Sequence, residues 1–121
     1  MLHLSLAEAG PLALQTNETV EISSMCAVFA ESEIIGLVHR GIRREVILRG
    51  VFRSIARRTL GMAGRFGLER DVVFTGGVAL NPGVVEVLKQ EARIPDLLVP
   101  PEPQITGALG AALLARRDLE R

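Results

Sequence analysis

The sequence predicts an α/β fold with parallel strands, and the prediction rests mainly on its second half. Two short continuous apolar runs, DVVF at 71–74 and DLLV at 96–99, each precede a stretch of helical periodicity. A strand, helix, strand, helix order calls for a right-handed crossover that lays the two strands parallel. Gly76-Gly77 closes the first run and Pro100-Pro101 the second, so both runs end on residues that stop regular structure.

The elements follow in chain order. LSLAEAGPLALQT at 4–16 reads as a short helix interrupted at Gly10-Pro11 and closed by the polar residues Gln15 to Glu18. TVEIS at 19–23 alternates apolar and polar, with Val20 and Ile22 on one face, and is expected to be a short strand that ends just before Cys26. From Glu31 the periodicity is helical: Ile34, Leu37 and Val38 share a face, Glu31 and Glu33 stand as first-turn acids, and Gly41 can cap the end. A second helix is expected from about Arg43 to Arg65, with Val46, Ile47, Val51, Ile55, Leu60, Met62 and Phe66 on its apolar stripe. Arg49, Arg53, Arg57 and Arg58 fall largely on its solvated side. After DVVF and the glycine turn comes a helix from Gly83 to about Ala92 with Pro82 near its start. DLLVP then returns as a strand, and TGALGAALLARR at 106–117 closes the chain as a helix rich in small residues.

At 121 residues the chain fits one domain spanning 1–121, long enough to bury roughly two-thirds of its unfolded surface. There is no internal repeat, low-complexity tract or linker. Fourteen basic residues balance fourteen acidic ones, so no net field draws in nucleic acid, and four Phe with no Tyr or Trp leave few stacking platforms. The N-terminal MLHLSLAEAG lacks a basic signal region, and ALGAALLA is far shorter than the about 20 residues of a membrane span, so no membrane partner and a cytoplasmic location are expected. Cys26 is the single cysteine and can form no intramolecular disulfide, while His3 and His39 offer no zinc spacing. A lone cysteine after a strand ordinarily reads as a small buried hydrophobe.

The residues most suggestive of chemistry are the glycines of VVFTGGVALNPGV. In open α/β sheets ligands sit at the carboxyl ends of strands, and glycine there allows positive φ and lets backbone amides approach a ligand without a Cβ between. The helix starting near Pro82 would aim its N-terminal amides at the same spot, a seat for phosphate. A tight turn with no ligand fits the same pattern. The segment is neither GxGxxG nor GxxxxGK followed by Ser or Thr, so the Rossmann and P-loop readings fail.

ISSMCAVFAESE, VVFTGGVALNPGV and VPPEPQITGALGAALLA, in this order and spacing, resemble the C-terminal half of the BadF/BadG/HgdC ATPase family, from about Leu6 to Ala115. Members activate 2-hydroxyacyl-CoA dehydratases or serve as ATP-hydrolysing subunits of benzoyl-CoA reductases. The resemblance implies the C-terminal lobe of an actin-like, hexokinase-like ATPase of the ribonuclease H-like class, present here in part. It also implies ATP or ADP with Mg²⁺ in an inter-lobe cleft, a 4Fe-4S cluster shared between subunits of a homodimer, and an acyl-CoA dehydratase or reductase as electron-accepting partner. By that resemblance Gly76 and Gly77 lie near the ribose and phosphates with Asn81 close by, Gln104 and Gly107 lie near the adenosine, and Cys26 is one of two cluster cysteines per subunit.

Family members are about twice as long, and their first half carries the phosphate-binding and Mg²⁺-associated acidic segment and the other cysteine. This chain is therefore expected to be inert without that N-terminal lobe, whether as a fragment, a split subunit or a truncation. Two other readings stand beside it: a non-catalytic dimerisation or binding module, and a lobe of another sugar-kinase-like ATPase.

Overall fold

A computed structural model describes residues 2–23, 26–69 and 71–120. Among them are five α-helices: α1 (Leu6–Ala13), α2 (Ala27–His39), α3 (Arg44–Ala63), α4 (Pro82–Ala92) and α5 (Thr106–Leu119).

α1 starts on a capping box. The Ser5 hydroxyl accepts from the Glu8 amide at 3.3 Å, and the Glu8 carboxylate accepts from the Ser5 amide at 2.8 Å. These bonds hold the Glu8 carboxyl below its ordinary value. The expected break at Gly10-Pro11 does not occur, since both residues lie inside the helix. Proline removes only one intrahelical bond in so short an element, and the buried face of Ala9, Gly10 and Ala13 holds the turn in place.

The expected strand at 19–23 is not formed either. This segment instead crosses α3 at Gly50, where an added Cβ would collide with the Val20 carbonyl oxygen, and it buries Ile22 beside Leu37 and Ile47. Alternation reports a half-buried extended chain, but a strand also needs a ladder partner, and the described neighbour here is a helix.

α2 begins at Ala27, earlier than the acids suggested, so Glu31 and Glu33 sit in its second turn. Glu33 is committed to the preceding loop, where both its oxygens accept from the Ser23 amide at 3.1 and 3.2 Å. The helix ends as expected at Gly41, whose φ is +73°. Bonds from the Gly41 amide to the Val38 carbonyl and from the Ile42 amide to the Leu37 carbonyl make the end a Schellman motif.

α3 is the central beam. Val46, Ile47, Leu48, Phe52 and Ala56 are buried, and both apolar clusters among the described residues rest on this helix. Its arginines are not simply solvated. Arg49 is only 6% exposed and donates to the Gln90 side chain at 2.7 Å and the Ala13 carbonyl at 3.4 Å, tying α1 and α4 together. Arg53 and Arg57 clamp opposite oxygens of Glu91 at 2.7 and 2.9 Å, and Arg57 also reaches Glu21 at 2.8 Å. A single-helix projection counts these positions as outward because it cannot know that α4 and the 19–23 segment pack there.

The two apolar runs do pair in parallel, through a single bridge between Val73 and Leu98. The Phe74 amide donates to the Leu98 carbonyl at 2.8 Å and the Leu98 amide to the Val72 carbonyl at 3.0 Å. Val72 and Phe74 pack on the core cluster with buried Leu97. α1 crosses α4 at two glycines: a Cβ on Gly83 would stand 2.7 Å from Phe52 Cε2 and 2.8 Å from the Gly10 carbonyl oxygen. Only glycine lets the two backbones come that close.

Candidate functional site

The first apolar run leads into Thr75 and then Gly76, whose φ of +95° and ψ of 175° place it where residues with a Cβ are strained. The chain continues through a 3₁₀ turn, Gly77–Leu80. The Gly76 amide donates to the Pro103 carbonyl at 2.8 Å, and the same carbonyl accepts from the Thr106 hydroxyl at 3.1 Å. One buried proline thus fastens the glycine turn to the start of α5. A Cβ on Gly77 would lie 3.3 Å from Gln104 Nε2, so the Gln104 side chain covers that face of the turn.

Gly76, Gly77, Gln104 and Gly107 are therefore brought into one neighbourhood, with Gly107 in the first turn of α5. A Cβ on Gly76 or Gly107 would meet nothing within 4 Å, so packing inside the chain does not explain a missing side chain at either position. Next to the turn runs a cleft of about 190 Å³ lined by Ile55 and Thr59 of α3, Phe74 to Val78, and Val84 of α4.

The anion seat differs from expectation. The α4 amides are already occupied: the Asn81 side-chain oxygen accepts from the Gly83 amide at 2.9 Å and the Val84 amide at 3.2 Å. Asn81 acts as an N-cap packed against Gly10. The α5 start, by contrast, has no side-chain cap, and it adjoins the glycine turn. A helix start without a cap presents first-turn amides with no intrahelical acceptor, which is the geometry that takes an anion. The sequence signal for this was the absence of Ser, Asp or Asn before Thr106, set against Asn81 before Pro82.

Cys26 lies elsewhere, at the N-cap position of α2, exposed and without a side-chain cap bond. It is not a buried hydrophobe. It borders a second cavity of about 600 Å³ between the 20–23 segment, α2 and α3, with Ala30, Ile34, Val51 and Ile55 among the apolar lining and Arg53 and Arg57 among the charged lining. Among the described residues no group of three or more His, Cys, Asp or Glu could hold a metal ion. The glycine cleft likewise has no carboxylate in its lining. No described helix is long and apolar enough to cross a membrane.

A glycine turn after a parallel-paired apolar run, fastened to an uncapped helix start, can receive an anionic ligand. Residues 1–115 match the BadF/BadG/BcrA/BcrD ATPase family, and the chain belongs to that family. It is 50% identical over 115 residues to an activator of lactoyl-CoA dehydratase from Anaerotignum propionicum, a match covering 95% of this chain and 44% of the relative.

The structure is similar to that of the activator of the 2-hydroxyisocaproyl-CoA dehydratase from Clostridium difficile with bound ADPNP. That match has a TM-score of 0.90 and 39% identity, over 98% of this chain and 44% of that one. It is also similar to the Acidaminococcus fermentans (R)-2-hydroxyglutaryl-CoA dehydratase component A, with a TM-score of 0.93 and 39% identity, over 99% and 46%. The fold is accordingly a partial lobe of the actin-like ATPase type, and the chain spans less than half the length of the relatives it matches.

Proposed function

We propose that this chain is the C-terminal, nucleotide-contacting lobe of an ATP-dependent activator of a 2-hydroxyacyl-CoA dehydratase, acting in the cytoplasm and inactive until the rest of the family fold joins it. The observation that carries this reading is the Pro103 carbonyl, which joins the Gly76 amide and the Thr106 hydroxyl and so sets the glycine turn against the uncapped start of α5. Backbone there can approach a nucleotide without side chains between, and the α5 amides offer donors to its anionic or hydroxyl groups. Identity to the lactoyl-CoA dehydratase activator favours a dehydratase as partner over an aromatic-ring reductase.

ATP would be held by Gly76, Gly77, Gln104 and Gly107. When bound it supplies the free energy of phosphoryl transfer, which depends on positioning and electrostatic stabilisation. This chain's part is to seat the nucleoside end and to narrow the cleft with Ile55 and Thr59. Mg²⁺ finds no carboxylate in that cleft, so its ligands are assigned to the phosphates and to the rest of the fold. Asn81 is given a supporting role as the cap of α4. Cys26 is exposed and would supply one thiolate ligand, but one thiolate per chain, or two in a homodimer, does not complete the four of a 4Fe-4S cluster. No electron-transfer step is assigned to this chain alone.

The test is calorimetric titration with ADPNP, alone and with the complementary part of a family activator. Weak or absent binding alone and clear binding in the assembled protein is expected. Absence of binding in a well-folded assembly would reject the reading.

A further inference from the structure

One carboxylate ties the chain before Cys26 to the helix after it. Cys26 makes no side-chain cap bond and sits exposed at the rim of the cavity of about 600 Å³, so its placement depends on the backbone on either side. After Cys26 the helix supplies the anchor, since the Ala30 amide donates to the Cys26 carbonyl at 2.9 Å. Before it, the 20–22 stretch is held on α3: the Val20 carbonyl lies against Gly50, Ile22 is buried, and Glu21 is bound by Arg57 at 2.8 Å. Ser23 is then tied across to α2. Its amide donates to the two Glu33 oxygens at 3.2 and 3.1 Å, and its hydroxyl lies 3.3 Å from both.

The helical repeat explains why position 33 can do this. Cys26, Ala30 and Glu33 follow at four- and three-residue spacing and so share a face of α2, and helical side chains lean toward the N-terminus. Glu33 therefore reaches back along the face that carries the cysteine and closes a ring from Ser23 through Cys26 to its own carboxylate. An exposed helix carboxylate is ordinarily left to water, because ordering a long side chain costs entropy. Here both oxygens are committed to a single serine, and bonds to an ionised acceptor are the stronger kind.

We infer that Glu33 is the positioning residue for Cys26: by holding Ser23 against the second turn of α2, its carboxylate fixes the cysteine at the start of that helix with the thiol turned outward. The inference rests on the reading of Cys26 as one thiolate ligand. Hydrogen bonding and reach carry the effect, and charge does not. Glutamine at position 33 keeps an acceptor oxygen for the Ser23 amide and an amide donor for its hydroxyl, whereas aspartate keeps the charge and falls short by one methylene.

The test measures amide order parameters by ¹⁵N relaxation on this full chain and on Glu33→Gln, Glu33→Asp and Glu33→Ala variants. The Cys26 amide should give about 0.85 in the parent and in Glu33→Gln, and below about 0.6 in the other two, while α3 and α4 keep their values. A carboxylate that only stabilises the fold would instead lower the urea midpoint and leave Cys26 as ordered as before, which overturns the inference. So does a Glu33→Gln variant as loose as Glu33→Ala, or a Glu33→Asp variant as ordered as the parent.

A second measurement reads the thiol as a ligand. The chain is assembled with the unmatched part of the Anaerotignum propionicum activator, reconstituted with iron and sulfide, and challenged with a chelator. Glu33→Ala should weaken iron retention about tenfold, and Glu33→Gln should restore it. Retention that ignores Glu33→Ala but is lost in Cys26→Ser overturns the positioning role. Retention that ignores Cys26→Ser refutes the ligand reading instead, and the order parameters alone then decide how Cys26 is held.

Discussion

Replacing Gly76 with alanine separates the two reasons a glycine can occupy a turn. At φ +95° and ψ 175° a residue with a Cβ costs about 1–3 kcal/mol. No clash adds to this, since the built Cβ meets nothing within 4 Å. Alanine also loses less chain entropy on folding than glycine, which returns about 0.4–1 kcal/mol. The net expected destabilisation is about 1–2 kcal/mol, a shift of roughly 1 M in the urea midpoint for a slope of about 1–3 kcal/mol/M.

Gly77→Ala is the paired control. Gly77 is not in the positive-φ region, and its Cβ would touch only the end of the flexible Gln104 side chain at 3.3 Å. Its stability should stay within about 0.5 kcal/mol of the parent. In the assembled protein, however, it should weaken ADPNP binding by calorimetry, because the added methyl group stands where the backbone is proposed to approach the ligand. If Gly76→Ala unfolds at the parental urea midpoint, the turn is not held in the observed conformation and the reasoning fails. If Gly77→Ala binds ADPNP as the parent does, the turn does not approach the nucleotide.

Other expectations follow from the packing. Gly83→Ala places a Cβ 2.7 Å from the Phe52 ring and 2.8 Å from the Gly10 carbonyl oxygen, and should cost about 1–3 kcal/mol in thermal or urea denaturation; parental stability would mean α1 and α4 do not cross there. Asn81→Ala should cost about 1 kcal/mol by removing the α4 cap while leaving ADPNP affinity unchanged, so an affinity loss without a stability loss would assign Asn81 to the ligand instead. Burial opposes ionisation of Glu91, but its bonds to Arg57 and Arg53 prevail and hold its carboxyl below the ordinary 4.5. The ionised clamp therefore stabilises the fold above pH 4.5 and fades as pH falls through the lowered native value. Glu91→Gln should be about 1 kcal/mol less stable than the parent at pH 7, and the gap should narrow as pH falls below 4.5; a gap that does not narrow in acid would contradict this.

The sequence disclosed the helices well and the strands poorly. α3 and α4 show in their apolar periodicity, and Gly41 marks the end of α2 because its positive φ serves a Schellman cap. The parallel relation of the two apolar runs was legible because a helix separates them. TVEIS could not be read correctly, since alternation does not distinguish a paired strand from a segment lying across a helix. Arg49 was misjudged for a related reason: its partners, Gln90 and the Ala13 carbonyl, are remote in sequence, and no periodicity encodes them. Gly76, Gly77, Gln104 and Gly107, singled out as ligand contacts through the family resemblance, lie in one neighbourhood because Pro103 ties the glycine turn to the start of α5. Which helix start remains open for an anion depended on a single hydrogen-bonding side chain, Asn81.

The crossing of α1 over α4 at Gly10 and Gly83 bears on how this polypeptide is made. The α4 start that closes over Gly10 is synthesised roughly seventy residues after it, a delay of about 4–15 s at ordinary translation rates. Before α3 is made, the local support of α1 within this segment is its capping box, which cannot sustain eight residues as a helix in water, and Leu48, Arg49 and Phe52 of α3 reach it before α4 does. α1 thus acquires its last neighbour only when α4 is complete, long after its own residues are in place.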